Sequence, residues 1–204
     1  MESLDELLKR AETAHGHLCA GQILGVRMAM LGLARLGIED PRGADRKRLA
    51  TYVEIDRCAT DAIAVVTGCR LGKRTLKFRD WGKMAATFVD LASGRGVRLV
   101  ALESSRDLAR QLYPQIEGKG RQQMLAYREL ADEQLFSEQW VRVAVDPGEL
   151  PGQRGERHVC PLCGEGVNFG RFEEVAGERL CLSCAQPELR YWTPEEPGPC
   201  SAGA

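Results

Sequence analysis

His15-Gly16-His17-Leu18-Cys19 sets two imidazoles and a thiol at alternate positions of one short segment. Alternate side chains of an extended chain point the same way, so His15, His17 and Cys19 are expected to line one wall. Imidazole with thiolate suits zinc, nickel or iron, and three protein ligands leave a position for water or substrate. Asp56-Arg57-Cys58-Ala59-Thr60-Asp61 forms a second group, at the junction of an expected strand and an expected helix. The positive end of that helix would lower the Cys58 thiol pKa, making Cys58 a candidate metal ligand or redox thiol. Asp61 either caps the helix or orients a histidine from behind. In a catalytic reading, Cys19 or Cys58 supplies the thiolate and His17 the neighbouring acid or base.

A different chemistry is written near the other end. Cys160-Pro161-Leu162-Cys163 and Cys181-Leu182-Ser183-Cys184 are two Cys-x2-Cys pairs, separated by residues 164–180. Four thiolates complete a closed tetrahedral zinc site with no open position, so its expected role is structural; iron is the alternative metal. So short a segment has little apolar core, and metal binding would supply much of its folding free energy. Residues 166–172 and 175–179 are expected to pair as a hairpin, with Cys184 opening a short helix, as in a treble-clef or zinc-ribbon finger. His158 is either a substitute ligand or an exposed linker residue. Of the other cysteines, Cys69 follows a glycine at a helix end and Cys200 lies in a Pro-rich tail.

Elements must position these groups. Residues 3–13 carry Leu4, Leu7, Leu8 and Ala11 at helical spacing. Residues 21–36 are apolar almost all round except Arg27 and Arg35, and Gly21, Gly25 and Gly32 allow neighbours close, so a central buried helix is expected. Strands are expected over 49–55, 75–79, 85–91, 97–102 and 140–145, with Ser93-Gly94-Arg95-Gly96 turning a hairpin. Helices are expected over 58–66, over 104–112 with a serine cap and a stop at Pro114, and over 121–136. Helices and strands mix without strict alternation, which places the fold in the α+β class. A core over 1–146, a linker over 147–157, a finger over 158–190 and a Pro-rich tail over 191–204 follow from the composition.

Charge limits the partners. With 28 basic and 29 acidic residues, no global field recruits nucleic acid or anionic lipid. The segment between the Cys-x2-Cys pairs holds Glu165, Glu173, Glu174 and Glu178 against Arg171 and Arg179, which repels phosphate and disfavours nucleic acid. Arg70, Lys73, Arg74, Lys77, Arg79 and Lys83 crowd one stretch. Lys77 and Arg79 read as a solvated strand face opposite Leu76 and Phe78, and Lys73, in a turn after Gly72, is a weak candidate for an anionic ligand or cofactor. No apolar run approaches the roughly 18 residues of a membrane span. The charged, helix-patterned first residues do not read as a signal peptide, so a reducing cytoplasmic location is expected.

Taken in order, His15–Gly21, Cys58–Ala62, Thr67-Gly68-Cys69-Arg70-Leu71-Gly72-Lys73 and Asp80-Trp81-Gly82-Lys83-Met84-Ala85-Ala86-Thr87-Phe88 resemble the E-subunit family of formylmethanofuran dehydrogenase over residues 10–145. Ala20 stands where the family pattern has proline, a change in loop rigidity that removes no ligand. The resemblance implies an α+β core, in some members followed by a treble-clef finger, and association with a molybdenum or tungsten oxidoreductase. Carried over by position, it implies His17, Cys19 and Cys58 as site residues, with His15 and Asp61 close by. Three expectations follow: a metal-binding accessory or enzyme protein of one-carbon metabolism whose finger braces a homodimer, a zinc-finger regulator sensing a metal or metabolite, or a scaffold whose core cysteines merely pack.

Overall fold

A computed structural model describes residues 2–145 and 147–193, the Pro147 side chain excepted. Cys200 and most of the Pro-rich tail lie outside the described residues. Two compact units divide the chain, Met1–Gly152 and Gln153–Ala204.

In the first unit, α1 (Leu4–His15) starts on a Ser3–Glu6 capping box and ends at Gly16, whose φ of 93° only glycine adopts readily. The helix α2 (Ala20–Leu36) is apolar on nearly every side because it is covered on nearly every side. It packs on α1, on α3 (Cys58–Thr67), on α5 (Lys119–Glu129), and on strands β3 (Ala85–Asp90) and β4 (Arg95–Ala101). Its glycines are what permit this: a β-carbon on Gly25 would stand 2.4 Å from the Ala59 carbonyl oxygen of α3, and one on Gly32 would stand 2.2 Å from the Phe88 ring. Together with β1 (Leu49–Val53), β2 (Leu76–Phe78) and β5 (Phe136–Arg142), β3 and β4 form a sheet in the order β2-β1-β3-β4-β5. Only the β1–β2 pair is parallel. The β3–β4 hairpin and the helix α4 (Ser104–Leu112) fall where the sequence predicts. The mixed architecture is α+β, as expected.

Four local expectations are corrected. The helix expected over 121–136 stops at Glu129, and a single turn, α6 (Asp132–Leu135), precedes β5. Arg27 is the cause: its guanidinium donates to the carbonyls of Tyr127 and Leu130 and pairs with Asp132 at 2.7 Å. Those carbonyls belong to the end of α5, so the cation satisfies groups a continuing helix would have used. The last strand therefore begins at Phe136 instead of Trp140. The serine cap of α4 is absent; Glu103 holds the cap position with no side-chain bond, and Ser105 donates to Leu102. The alternation in β2 is inverted at its end, for Lys77 is buried and Phe78 exposed. Lys77 Nζ donates to the Glu149 carbonyl at 2.7 Å and faces its carboxylate at 3.6 Å, and Arg79 meets the same carboxylate. Having left β5 at one edge of the sheet, the chain has reached β2 at the other by Glu149.

In the second unit, residues 166–179 do not make one hairpin. Strand β6 (Arg157–Val159) pairs with β7 (Gly166–Asn168), and β8 (Phe172–Val175) pairs with β9 (Glu178–Cys181), both antiparallel. The short helix α7 (Leu182–Ala185) is capped by Cys181 and contains Cys184 instead of starting at it. Its core is mostly sulfur: Cys160, Cys181 and Cys184 with Leu180.

Candidate functional site

In the first unit the site forms where helix ends meet. His15 is the last residue of α1, Gly16 reverses the chain, and Cys19 is the N-cap of α2 in extended backbone. The stretch from His15 to Cys19 is thus a helix end plus a turn, not one extended wall. It nevertheless brings ligand atoms of His15, His17 and Cys19 within 4.8 Å of one another, with the two imidazole rings 4.8 Å apart. Asp61, in the first turn of α3, sends its carboxylate across to His15, with Oδ2 2.9 Å from Nδ1. Of the two roles open to Asp61, this is orientation of a histidine; no side chain caps α3. With Nδ1 engaged, His15 has Nε2 free for a metal, and the carboxylate raises the basicity of that nitrogen.

Cys58 opens α3 and lies beside Cys19 without joining the three-residue cluster. Cys58 Cβ and Cys19 Sγ stand 3.2 Å and 3.8 Å from the one point where a β-carbon on Gly21 would sit. The thiol pKa expected to be low is pushed up, first by burial and then by a hydrogen bond from the Cys19 side. Burial outweighs the helix end here because the close seat of α2 on α3 excludes water from the thiol. Gln22 escaped the sequence reading. Fully buried, it donates Nε2 to the Cys58 carbonyl at 2.7 Å, while its Oε1 has no partner among the described residues. An amide inside an otherwise apolar helix face was the available signal.

Cys69 is a core thiol, accepting from Thr51 Oγ1 at 3.5 Å and raised in pKa mainly by burial. Lys73 lies in a single 3-10 turn, Leu71–Lys73, where its charge acts on Cys69. A feature unread in the sequence is Glu54, a buried carboxylate held by Arg98 through two 2.7 Å bonds. Its carbonyl accepts from the Trp81 and Lys83 amides, fixing the 80–83 loop.

In the second unit Cys160, Cys163, Cys181 and Cys184 bring their sulfurs within 4.8 Å of one another, and this cluster could hold a metal ion. The Cys163–Cys181 separation of 3.8 Å matches the edge of a tetrahedron with metal–sulfur bonds of about 2.3 Å. The Cys181 amide donates to Cys160 Sγ at 3.4 Å, which brings the Cys160 pKa down to about 6. Sulfur crowding, chiefly Cys181, sends Cys184 up to about 12. Four such thiols cannot all ionise unaided, and a cation among them removes that conflict. Arg190 Nη2 reaches Cys184 Sγ at 3.7 Å and Ser183 Oγ lies 3.2 Å from Cys181 Sγ, both suited to thiolate charge. His158 stays outside the cluster, bonded to the Arg179 carbonyl and resting on Phe172.

Residues 14–142 match the family described as "FmdE, Molybdenum formylmethanofuran dehydrogenase operon". The chain belongs to the FmdE family. A probable S-adenosyl-L-methionine-binding protein of Archaeoglobus fulgidus is 31% identical over 202 residues, covering 89% of this chain and 53% of that protein. The chain thus spans about half the length of that curated relative. Among solved structures, an FmdE-like protein of the tungsten formylmethanofuran dehydrogenase type, from Syntrophus aciditrophicus, aligns with a TM-score of 0.63 at 23% identity, over 93% of this chain and 95% of that one. This FmdE-family chain shares that fold. No helix among its described residues is long and apolar enough to cross a membrane.

Proposed function

We propose that this FmdE-family protein is a metal-binding accessory or enzyme protein of one-carbon or molybdenum and tungsten redox metabolism, with two metal sites of opposite character. The site near α2 takes one zinc, nickel or iron ion through His15, His17 and Cys19. Its carrying observation is the 2.9 Å bond between His15 and Asp61, which fixes the tautomer and aim of an imidazole already grouped with a second imidazole and a thiol. A metal held by three residues acts as a Lewis acid at its open position. Asp61 orients His15, while Gln22 holds the backbone at Cys58. The four-cysteine cluster takes zinc in a closed, structural, treble-clef-like site. Its unit braces a homodimer or contacts the components of a molybdenum or tungsten oxidoreductase in the cytoplasm, and its acidic surface argues against nucleic acid.

Elemental analysis of the purified chain tests this reading. Two metal equivalents per chain are expected, with His17→Ala and Cys19→Ala each losing one and Cys163→Ser losing the other. A single equivalent, lost only on replacing finger cysteines, refutes the core site.

A further inference from the structure

Cys19 and Cys58 are separated in the chain by residues 20–57, yet their side chains are in hydrogen-bond contact. Each begins a helix, Cys19 as the N-cap of α2 and Cys58 as the first residue of α3. The close approach of those helices at Gly21, Gly25 and Ala59 brings them together. Both are half-buried, in contrast to Cys69, which is sealed in the core at 3% exposure. Cys19 belongs to the group with His15 and His17, and Cys58 does not. One member of the pair is thus placed to bind a metal and the other to compete for the same sulfur.

We infer that Cys19 and Cys58 form a redox-active dithiol, whose oxidation by a low-molecular-weight disulfide closes a Cys19–Cys58 bond and removes the Cys19 sulfur from the core metal. This rests on the proposed His15/His17/Cys19 metal site. The exchange balances. One protein thiolate attacks a sulfur of the small disulfide, forming a mixed disulfide and expelling one small thiolate. The second protein thiolate attacks the protein sulfur of that bond, closing the Cys19–Cys58 disulfide and expelling the other small thiolate. The protein loses two electrons and two protons, and the small disulfide leaves as two thiols. A sulfur bonded to Cys58 is no longer a thiolate, so the metal loses its only charged ligand in the group. Deepest in the site, Gln22 grips the Cys58 carbonyl and fixes one end of the pair, while Gly21 leaves no side chain between the sulfurs.

The test treats the full chain with oxidised glutathione, then measures metal per chain and maps tryptic peptides without reduction. A disulfide joining the peptide of residues 11–27 to that of residues 58–70 is expected. It should survive Cys69→Ser, vanish in Cys58→Ser and revert with excess reduced thiol. The wild-type chain should release one metal equivalent more than Cys58→Ser, which cancels whatever the four-cysteine cluster releases in both. Absence of the cross-linked peptide overturns the pair. A cross-link formed with no extra metal release overturns the gate. Loss of the core metal from reduced Cys58→Ser, with circular dichroism unchanged, makes Cys58 a ligand and overturns the assigned division of roles; Cys58→Ala repeats that arm without a hydroxyl. Should the reduced wild-type chain carry metal only on the finger cysteines, the metal reading fails and the gate with it, while the cross-link still reports on the pair.

Discussion

Replacing Gly25 with alanine tests the contact that assembles the core site. The new β-carbon would stand 2.4 Å from the Ala59 carbonyl oxygen, 2.8 Å from Ala59 Cα and 2.8 Å from Ala62 Cβ. Two of these are backbone atoms of α3, so no side-chain rotation relieves the clash. The helices must part by about 0.6 Å to bring the shortest contact to 3.0 Å, the lower limit of real ones. Overpacking of this kind costs about 1–3 kcal/mol, and contact with backbone puts Gly25 at the upper end, ~3 kcal/mol. Alanine returns about 1 kcal/mol of helix propensity. The net loss is ~2 kcal/mol, and with a urea slope of roughly 2 kcal/mol/M the first unit's unfolding midpoint falls by about 1 M. Gly21→Ala is the control: its nearest contact would be 3.2 Å, to Cys58 Cβ, so stability stays near wild type. Urea unfolding followed by circular dichroism reads both, and metal content of each folded variant reports on the site. A Gly25→Ala chain as stable as wild type refutes the argument, because α2 and α3 would then not be in backbone contact.

Other outcomes follow from named groups. Arg98→Met strands the buried Glu54 carboxylate and should lower stability by about 3 kcal/mol at neutral pH; Glu54→Gln in the same background should recover part of it, and no recovery would refute the charge explanation. Arg35 holds the Glu138 carboxyl below its usual pKa through a two-bonded pair. A carboxyl depressed on folding adds stability that is complete above the unfolded value of about 4.3 and lost as pH falls through the lower folded value. Arg35→Gln should therefore cost at most about 1 kcal/mol at pH 7, discounted for solvent screening, and nothing in strong acid. A chelator should melt β6–α7, seen as collapse of its amide dispersion by NMR, and leave signals of α1–β5 in place. Simultaneous loss of both sets would contradict separate cores.

The sequence made the four-cysteine cluster legible because its ligands are paired locally and the gap is short. The core site was half legible. His15, His17 and Cys19 are neighbours in sequence, but the bond from His15 to Asp61 spans 46 residues and depends on how α1 and α3 cross. Gln22 was overlooked because its importance lies in a carbonyl 36 residues away. The misread elements share this cause. Periodicity cannot announce that Arg27 will take the last carbonyls of α5, or that Glu149 will hold Lys77 inside the sheet's edge. Nor does a helix-start position fix a thiol's acidity when a close-packed neighbour excludes water, as at Cys58.

The clasp of Glu149 on Lys77 and Arg79 also has a mechanical meaning. Since the chain continues into the second unit just after this point, tension on that connection reaches the first unit at β2, not at β5 where the last strand ends. While the clasp holds, a pull is taken by two cations rooted in a parallel strand pair. Once it opens, the same pull transfers to the end of β5 and can peel that edge strand from β4 one hydrogen bond at a time. Glu149 therefore decides which edge of the sheet carries the load.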